Sequence, residues 1–236
     1  MYGSRARIGY TSPLLVSEIF AYEFYRVVPA GVTLALTSLN VWEHTGDELD
    51  RSYERTMLAA RAMADAGLDL IVLGGVPVLA SKGYANVATF VAELEADLGV
   101  PVTTAPAAYE AAFAQAGATE VICVDVPHSP GVGLAESTYR IVERRGAGSE
   151  PMVASTRMDA EATAAVGRQL AADNPGADTL WLAWPHRPTI DVIEPLERGL
   201  GINVMSSAQA IIWESLRRCG ISEPIHGFGR LLAEPR

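Results

Sequence analysis

Apolar residues run through this chain in two rhythms. Short unbroken runs such as Leu70-Ile71-Val72-Leu73 and Leu180-Trp181-Leu182-Ala183 alternate with longer segments in which apolar positions recur every three to four residues. The first pattern is that of strands covered on both faces, the second that of amphipathic helices. In the first half it predicts strands over residues 7–11, 32–36, 70–73 and 100–103, with helices over 16–26, 50–66, 87–98 and 107–116. In the second half it predicts strands over 120–124, 152–155, 180–183 and 202–205, with helices over 134–145, 159–173, 190–199 and 208–218. Gly67, Gly99 and Gly117 each stand where a helix should stop.

The two halves also match residue by residue. Gly67–Leu73 (GLDLIVL) aligns with Gly176–Leu182 (GADTLWL), LGVPVTTAPAA from Leu98 with LGINVMSSAQA from Leu200, and Ile8–Pro13 (IGYTSP) with Ile122–Pro127 (ICVDVP). Such self-similarity decides the fold before local detail does. The expected class is α/β: two similar parallel-sheet halves related by a pseudo-twofold axis, 1–117 and 118–236, with 206–236 able to pack back on the first half.

At 49% hydrophobic and 19% charged, the 236 residues can bury a large core. The net charge of −10 argues against a nucleic-acid partner, which needs clustered Lys and Arg. No apolar run reaches the roughly 20 residues of a membrane span, and MYGSRARIGY leads straight into a strand pattern rather than a signal peptide. The two cysteines, Cys123 and Cys219, form neither a disulfide framework nor a metal-type spacing. A cytoplasmic protein that acts on a small molecule is the expectation, with no nucleic-acid or membrane partner and with a homo-oligomer open.

Ligands of open parallel sheets bind beyond the carboxyl ends of the strands. In a duplicated fold, two sets of strand ends can face one another across a cleft, and the candidate site residues are those at its rim. They are Ser12 and Pro13 after the first strand, Gly75, Val76 and Pro77 after the third, Pro127 after the fifth, and Trp184, Pro185 and Arg187 after the seventh. Thr104 and Ser206 line it from the remaining strand ends. His128 and His186 each follow a proline directly after a strand, so two imidazoles in matched positions are the candidate acid/base pair. The fork of donors on Arg187 suits a carboxylate. Trp42-Glu43-His44 with Asp47 and Glu48 fits no established zinc spacing, so no metal is expected. Gly74-Gly75 lacks the context of a phosphate loop, so no nucleotide is expected either.

The chain resembles the aspartate/glutamate racemase superfamily, within it the arylmalonate decarboxylase and maleate cis-trans isomerase branch. The resemblance rests on RIGYTSP, GLDLIVLGG, LGVPVTT, TIDVIEPLERGLGINVMSS and GFGRLL, which together span nearly the whole chain. It implies a cofactor-free site between two α/β halves, where a cysteine at one or both matched strand ends moves a proton at carbon or attacks an alkene. Here Gly75 and Trp184 stand at those two positions, Val76-Pro77 where the decarboxylases have a carboxylate-holding Thr-Ser pair, and Pro127 about where they have a tyrosine. The expected function is therefore a cofactor-independent isomerase or lyase that transfers a proton at carbon on a carboxylate- or carbonyl-bearing small molecule, without the family cysteines. The alternative is a catalytically inactive relative that binds a small molecule or a protein.

Overall fold

Two four-stranded parallel sheets organise the chain. Its computed structural model describes residues 2–41, 45–75, 87–125, 138–147 and 158–234. The first sheet holds β1 (Ala6–Leu14), β2 (Val32–Val41), β3 (Leu70–Leu73) and β4 (Val102–Thr104) in the order β2-β1-β3-β4. The second holds β5 (Glu120–Asp125), β6 (Arg140–Gly146), β7 (Thr179–Leu182) and β8 (Asn203–Ser206) in the equivalent order β6-β5-β7-β8. The helices α1 (Ile19–Val27), α2 (Gly46–Asp65), α3 (Val87–Leu98), α4 (Ala105–Ala116), α5 (Ala160–Asp173), α6 (Ile193–Leu200), α7 (Ser207–Arg218) and α8 (Arg230–Ala233) fill the connections and the C-terminal end. The expected α/β class and the duplication are both found.

Local chemistry sets the element ends. Asp159 caps α5 by accepting the Glu161 N–H, and Gly117 ends α4 in a left-handed conformation at φ +64° that an L side chain resists. Ser206 and Gln209 form a reciprocal capping box at the start of α7.

One element departs from expectation. Residues 134–145 read as a helix, but Arg140–Gly146 form β6, paired in parallel with β5 from Glu120↔Arg140 to Asp125↔Gly146. The strand is the sheet's outer edge, and its residues alternate between exposed and half-buried, so the period is two. Its charged residues mimic a solvated helix in sequence, while β-branched Ile141 and Val142 favour the pleated surface. The strand expected over 152–155 lies outside the described residues, as does the loop 42–44.

Each sheet has two differently filled faces. On the first sheet, Ile71 and Leu73 pack with Met63 and Leu68, whereas Ile8, Tyr10, Leu70 and Val72 join a core shared with the second half. Helix α7 packs on α4 and α1 and touches β3, so this C-terminal segment bridges to the first half. The carboxyl end of the first sheet's inner face therefore looks toward the second half.

Candidate functional site

The two matched strand ends share a backbone conformation that their side chains do not explain. Gly75, just past β3, has φ +82°; Trp184, just past β7, has φ +87°. Positive φ is free for glycine but costs an L residue about 1–2 kcal/mol. Trp184 is held there by its N–H, which donates to Ser207 Oγ at 3.0 Å. Its indole meets the His186 ring edge-on, centroids 5.5 Å apart, and its own Nε1 is buried without a partner. Strain kept at a strand end is a pointer to function.

Behind Trp184, the loop buries two side chains that are rarely buried. His186 is fully enclosed; its Nδ1 lies 2.8 Å from Ser17 Oγ, and Nε2 has no partner among the described residues. Burial pushes its pKa down to about 3, so the imidazole is neutral at physiological pH. With the Ser17 hydroxyl donating to Nδ1, the tautomer carries its proton on Nε2 and that atom becomes a free donor. Arg187 is also fully enclosed. Among the described residues its Nη2 makes only long bonds, 3.4 Å to the Asp125 carbonyl and 3.3 Å to that of Ala147, while Nε and Nη1 have no partner there. Burial lowers its pKa against the opposing pull of Asp125, yet a guanidinium stays charged. A buried cation with two idle donors costs several kcal/mol unless an anion completes it.

The first half contributes hydroxyls. Ser12 Oγ and Tyr10 Oη are buried without partners among the described residues, and so is Thr103 Oγ1. Gly74 can carry no side chain: a Cβ would stand 2.2 Å from the Thr11 carbonyl oxygen and 2.8 Å from two atoms of the Tyr10 ring. Its N–H donates to Thr11 Oγ1 at 3.0 Å. Between the halves, the Tyr109 hydroxyl bonds Ser207, which also takes the Trp184 N–H.

Helix α1 and its lead-in tie the site loop to the first half. Besides Ser17 on His186, the buried Glu23 carboxylate accepts the Thr189 N–H at 2.6 Å and the Ile190 N–H at 2.8 Å through Oε1. Thr189 Oγ1 donates to Glu23 Oε2 at 3.3 Å, and Arg26 pairs with Asp191 at 2.6 Å. Burial pushes the Glu23 pKa up to about 7 against these donors.

Of the expected site residues, Trp184 and His186 are in contact, and others are used differently. Thr104 and Ser206 cap helices α4 and α7, each accepting an N–H at 3.2 Å, so their oxygens serve the fold first. β5 pairs directly with β7, so residues 128 and 186 follow, in sequence, two adjacent strands of one sheet. His128 itself, with Val76, Pro77 and Pro127, lies outside the described residues. Cys123 is buried with its thiol pKa raised by burial and by Asp125, and burial pushes Cys219 up to about 11. Neither thiol is poised to ionise. Tyr10, Ser17 and Glu23 were not singled out in the sequence. The alternation that puts Tyr10 on the same strand face as Ser12 is the one signal that pointed to any of them.

A duplicated α/β fold with buried, unsatisfied donors at its strand ends defines a class of small-molecule site. A family model for arylmalonate decarboxylase matches residues 25–232, and the chain belongs to that family. Arylmalonate decarboxylase from Bordetella bronchiseptica is 27% identical over 205 residues, covering 84% of this chain and 85% of that protein. A crystal structure of arylmalonate decarboxylase superposes with a TM-score of 0.81 at 23% identity, over 96% of this chain and 98% of the other. A mutant maleate cis-trans isomerase from Nocardia farcinica with a covalently bound succinylcysteine intermediate superposes at 0.82 with 20% identity, over 98% and 99%. No helix among the described residues is long and apolar enough to cross a membrane.

Proposed function

We propose that this protein is a lyase or isomerase that moves a proton at carbon on a small carboxylic acid, without a cofactor and without a cysteine nucleophile. The observation that carries this reading is the enclosed Arg187 guanidinium, with Nε and Nη1 unpartnered among the described residues. Either idle N–H group can donate to a carboxylate oxygen in a charge-assisted hydrogen bond. Neutral His186 suits a different role from an acid/base catalyst: a buried imidazole with a pKa near 3 yields its proton poorly at pH 7 but donates a hydrogen bond from Nε2. Such a donor stabilises negative charge that develops on a substrate oxygen as the carbon loses carbon dioxide or a proton. His128 is the proposed acid/base partner, since it follows the strand next to β7. Trp184, Pro185 and the left-handed turn wall this end of the site, and Ser12 and Pro13 with Gly75, Val76 and Pro77 are proposed to wall the other.

In the Nocardia relative a cysteine carries the intermediate. Here Trp184 and Gly75 hold the two matched strand ends, and the raised pKa values of both thiols support a reaction that uses neither. The same facts favour a second reading, an inactive relative that only binds its acid. Incubating the wild type, a Cys123→Ser/Cys219→Ser variant and Arg187→Met with phenylmalonate and with maleate decides between them. Turnover that survives loss of both cysteines and disappears with Arg187 supports the enzyme. Binding of either acid without turnover selects the binder, and no binding of either acid refutes both.

A further inference from the structure

Among the described residues, three hydroxyls with no partner sit on the first sheet: Tyr10 and Ser12 on β1 and Thr103 on β4. Residues two apart on a strand share a face, and Tyr10 pairs in register with Val72, which pairs with Thr103. All three therefore lie on the inner face, whose neighbour beyond the strand ends is the second half. Tyr10 is 1% exposed, and its ring is pinned by stacking on Phe20 with centroids 4.1 Å apart. Its phenol end lies against Gly74, at a spot that any Cβ would take. Buried hydroxyls in folded proteins are almost always hydrogen-bonded, so a cluster of idle ones at a strand end calls for a ligand.

We propose that Tyr10, with Ser12 beside it, donates hydrogen bonds to a carboxylate or carbonyl oxygen of the substrate, at the end of the molecule remote from Arg187. This rests on the reading of the Arg187 site as a carboxylate site. Where the sequence has Val76-Pro77 after β3, no side-chain donor is available from that segment, and β1 supplies the hydroxyls instead. Burial and the nearby Tyr109 hold the Tyr10 phenol protonated, so it remains a donor across the physiological range. The substrate class that follows has oxygen acceptors at both ends, one charged end on Arg187 and one oxygen on Tyr10.

An unpartnered hydroxyl makes an informative target, because removing it deprives the ligand-free fold of no bond. Tyr10→Phe keeps the Phe20 stacking, and a purely structural Tyr10 predicts an unchanged or higher Tm with unchanged binding. The proposal instead predicts an unchanged Tm and a Kd for phenylmalonate or maleate weakened by about ten- to a hundred-fold in calorimetry. Ser12→Ala is expected to weaken binding by roughly five- to ten-fold, the loss of one neutral hydrogen bond, and serves the same test if Tyr10→Phe fails to fold. If both variants bind as the wild type does while Arg187→Met does not bind, this inference is overturned and the Arg187 reading stands. If the wild type binds neither acid, the Arg187 reading falls and takes this one with it.

Discussion

The strand ends at Gly75 and Trp184 carry one backbone conformation and opposite side chains. On the glycine side the left-handed turn is free, the strand end is bare, and the proposed substrate donors are hydroxyls on the neighbouring strand. On the tryptophan side the turn is strained, and the donors are nitrogens from the same loop: Trp184 Nε1, His186 Nε2 and the Arg187 fork. Duplication preserved the frame while the chemistry of its two ends diverged. A positive φ kept under a tryptophan indicates that the turn itself is needed, because nothing about an indole favours it.

Replacing Arg187 by methionine should produce the largest change. Ligand affinity is expected to fall by about a hundred-fold or more, a loss of about 3 kcal/mol or above, measured by calorimetry with phenylmalonate or maleate. The ligand-free fold is expected to be as stable or more so, since removing a buried cation with two idle donors outweighs the lost attraction of Asp125. A matching loss of fold stability would mean that Arg187 is structural.

The tie between the halves comes next. Glu23→Ala strands the Thr189 and Ile190 N–H groups, and unfolding in denaturant should show a loss of about 2–4 kcal/mol. Glu23→Gln keeps an acceptor for both. Its pKa rises from 4.5 to about 7 on folding, so the folded state holds the proton more tightly than the unfolded chain does. The stability Glu23 contributes is thus fully present below pH 4.5 and lost as pH climbs to about 7, on the order of 3 kcal/mol across that window. Glu23→Gln should abolish that loss. His186 acts with the opposite sign: its pKa falls from 6.5 to about 3, so its contribution is present above pH 6.5 and lost as pH drops toward 3. Between pH 4.5 and 6.5 the two slopes oppose one another. The wild type should therefore vary less with pH there than either Glu23→Gln or His186→Gln.

Smaller effects sharpen the comparison of the turns. Gly75→Ala is expected to cost about 1–2 kcal/mol for placing a Cβ at positive φ. Trp184→Gly should stay within about 1 kcal/mol, as relief of that strain offsets the lost indole packing and the added chain entropy. The least effect is expected for Cys123→Ser/Cys219→Ser, which should leave turnover of the acid unchanged.

Much of the frame was legible beforehand because the duplication and the unbroken apolar runs both depend on local pattern. β6 was misread since an edge strand made of Arg, Glu and two β-branched residues has the composition of a solvated helix, and only its pairing with β5 reveals the period of two. Trp184, His186 and Arg187 could be placed at a strand end from the sequence. That His186 is neutral and Arg187 incompletely paired could not, because both properties follow from burial by distant segments. Glu23 escaped notice for the same reason: its partners lie 166 and 167 residues away. Tyr10 looked like an ordinary strand aromatic, and only an account of buried hydroxyls without partners sets it apart.

The central claim is that a carboxylate completes Arg187 between the two strand ends. A crystal structure of the wild type grown with phenylmalonate or maleate tests it most directly. The account predicts a carboxylate within hydrogen-bond distance of Arg187 Nε or Nη1, with another substrate oxygen near Tyr10 and Ser12. An acid bound elsewhere, with Arg187 reaching only the Asp125 and Ala147 carbonyls, would contradict it.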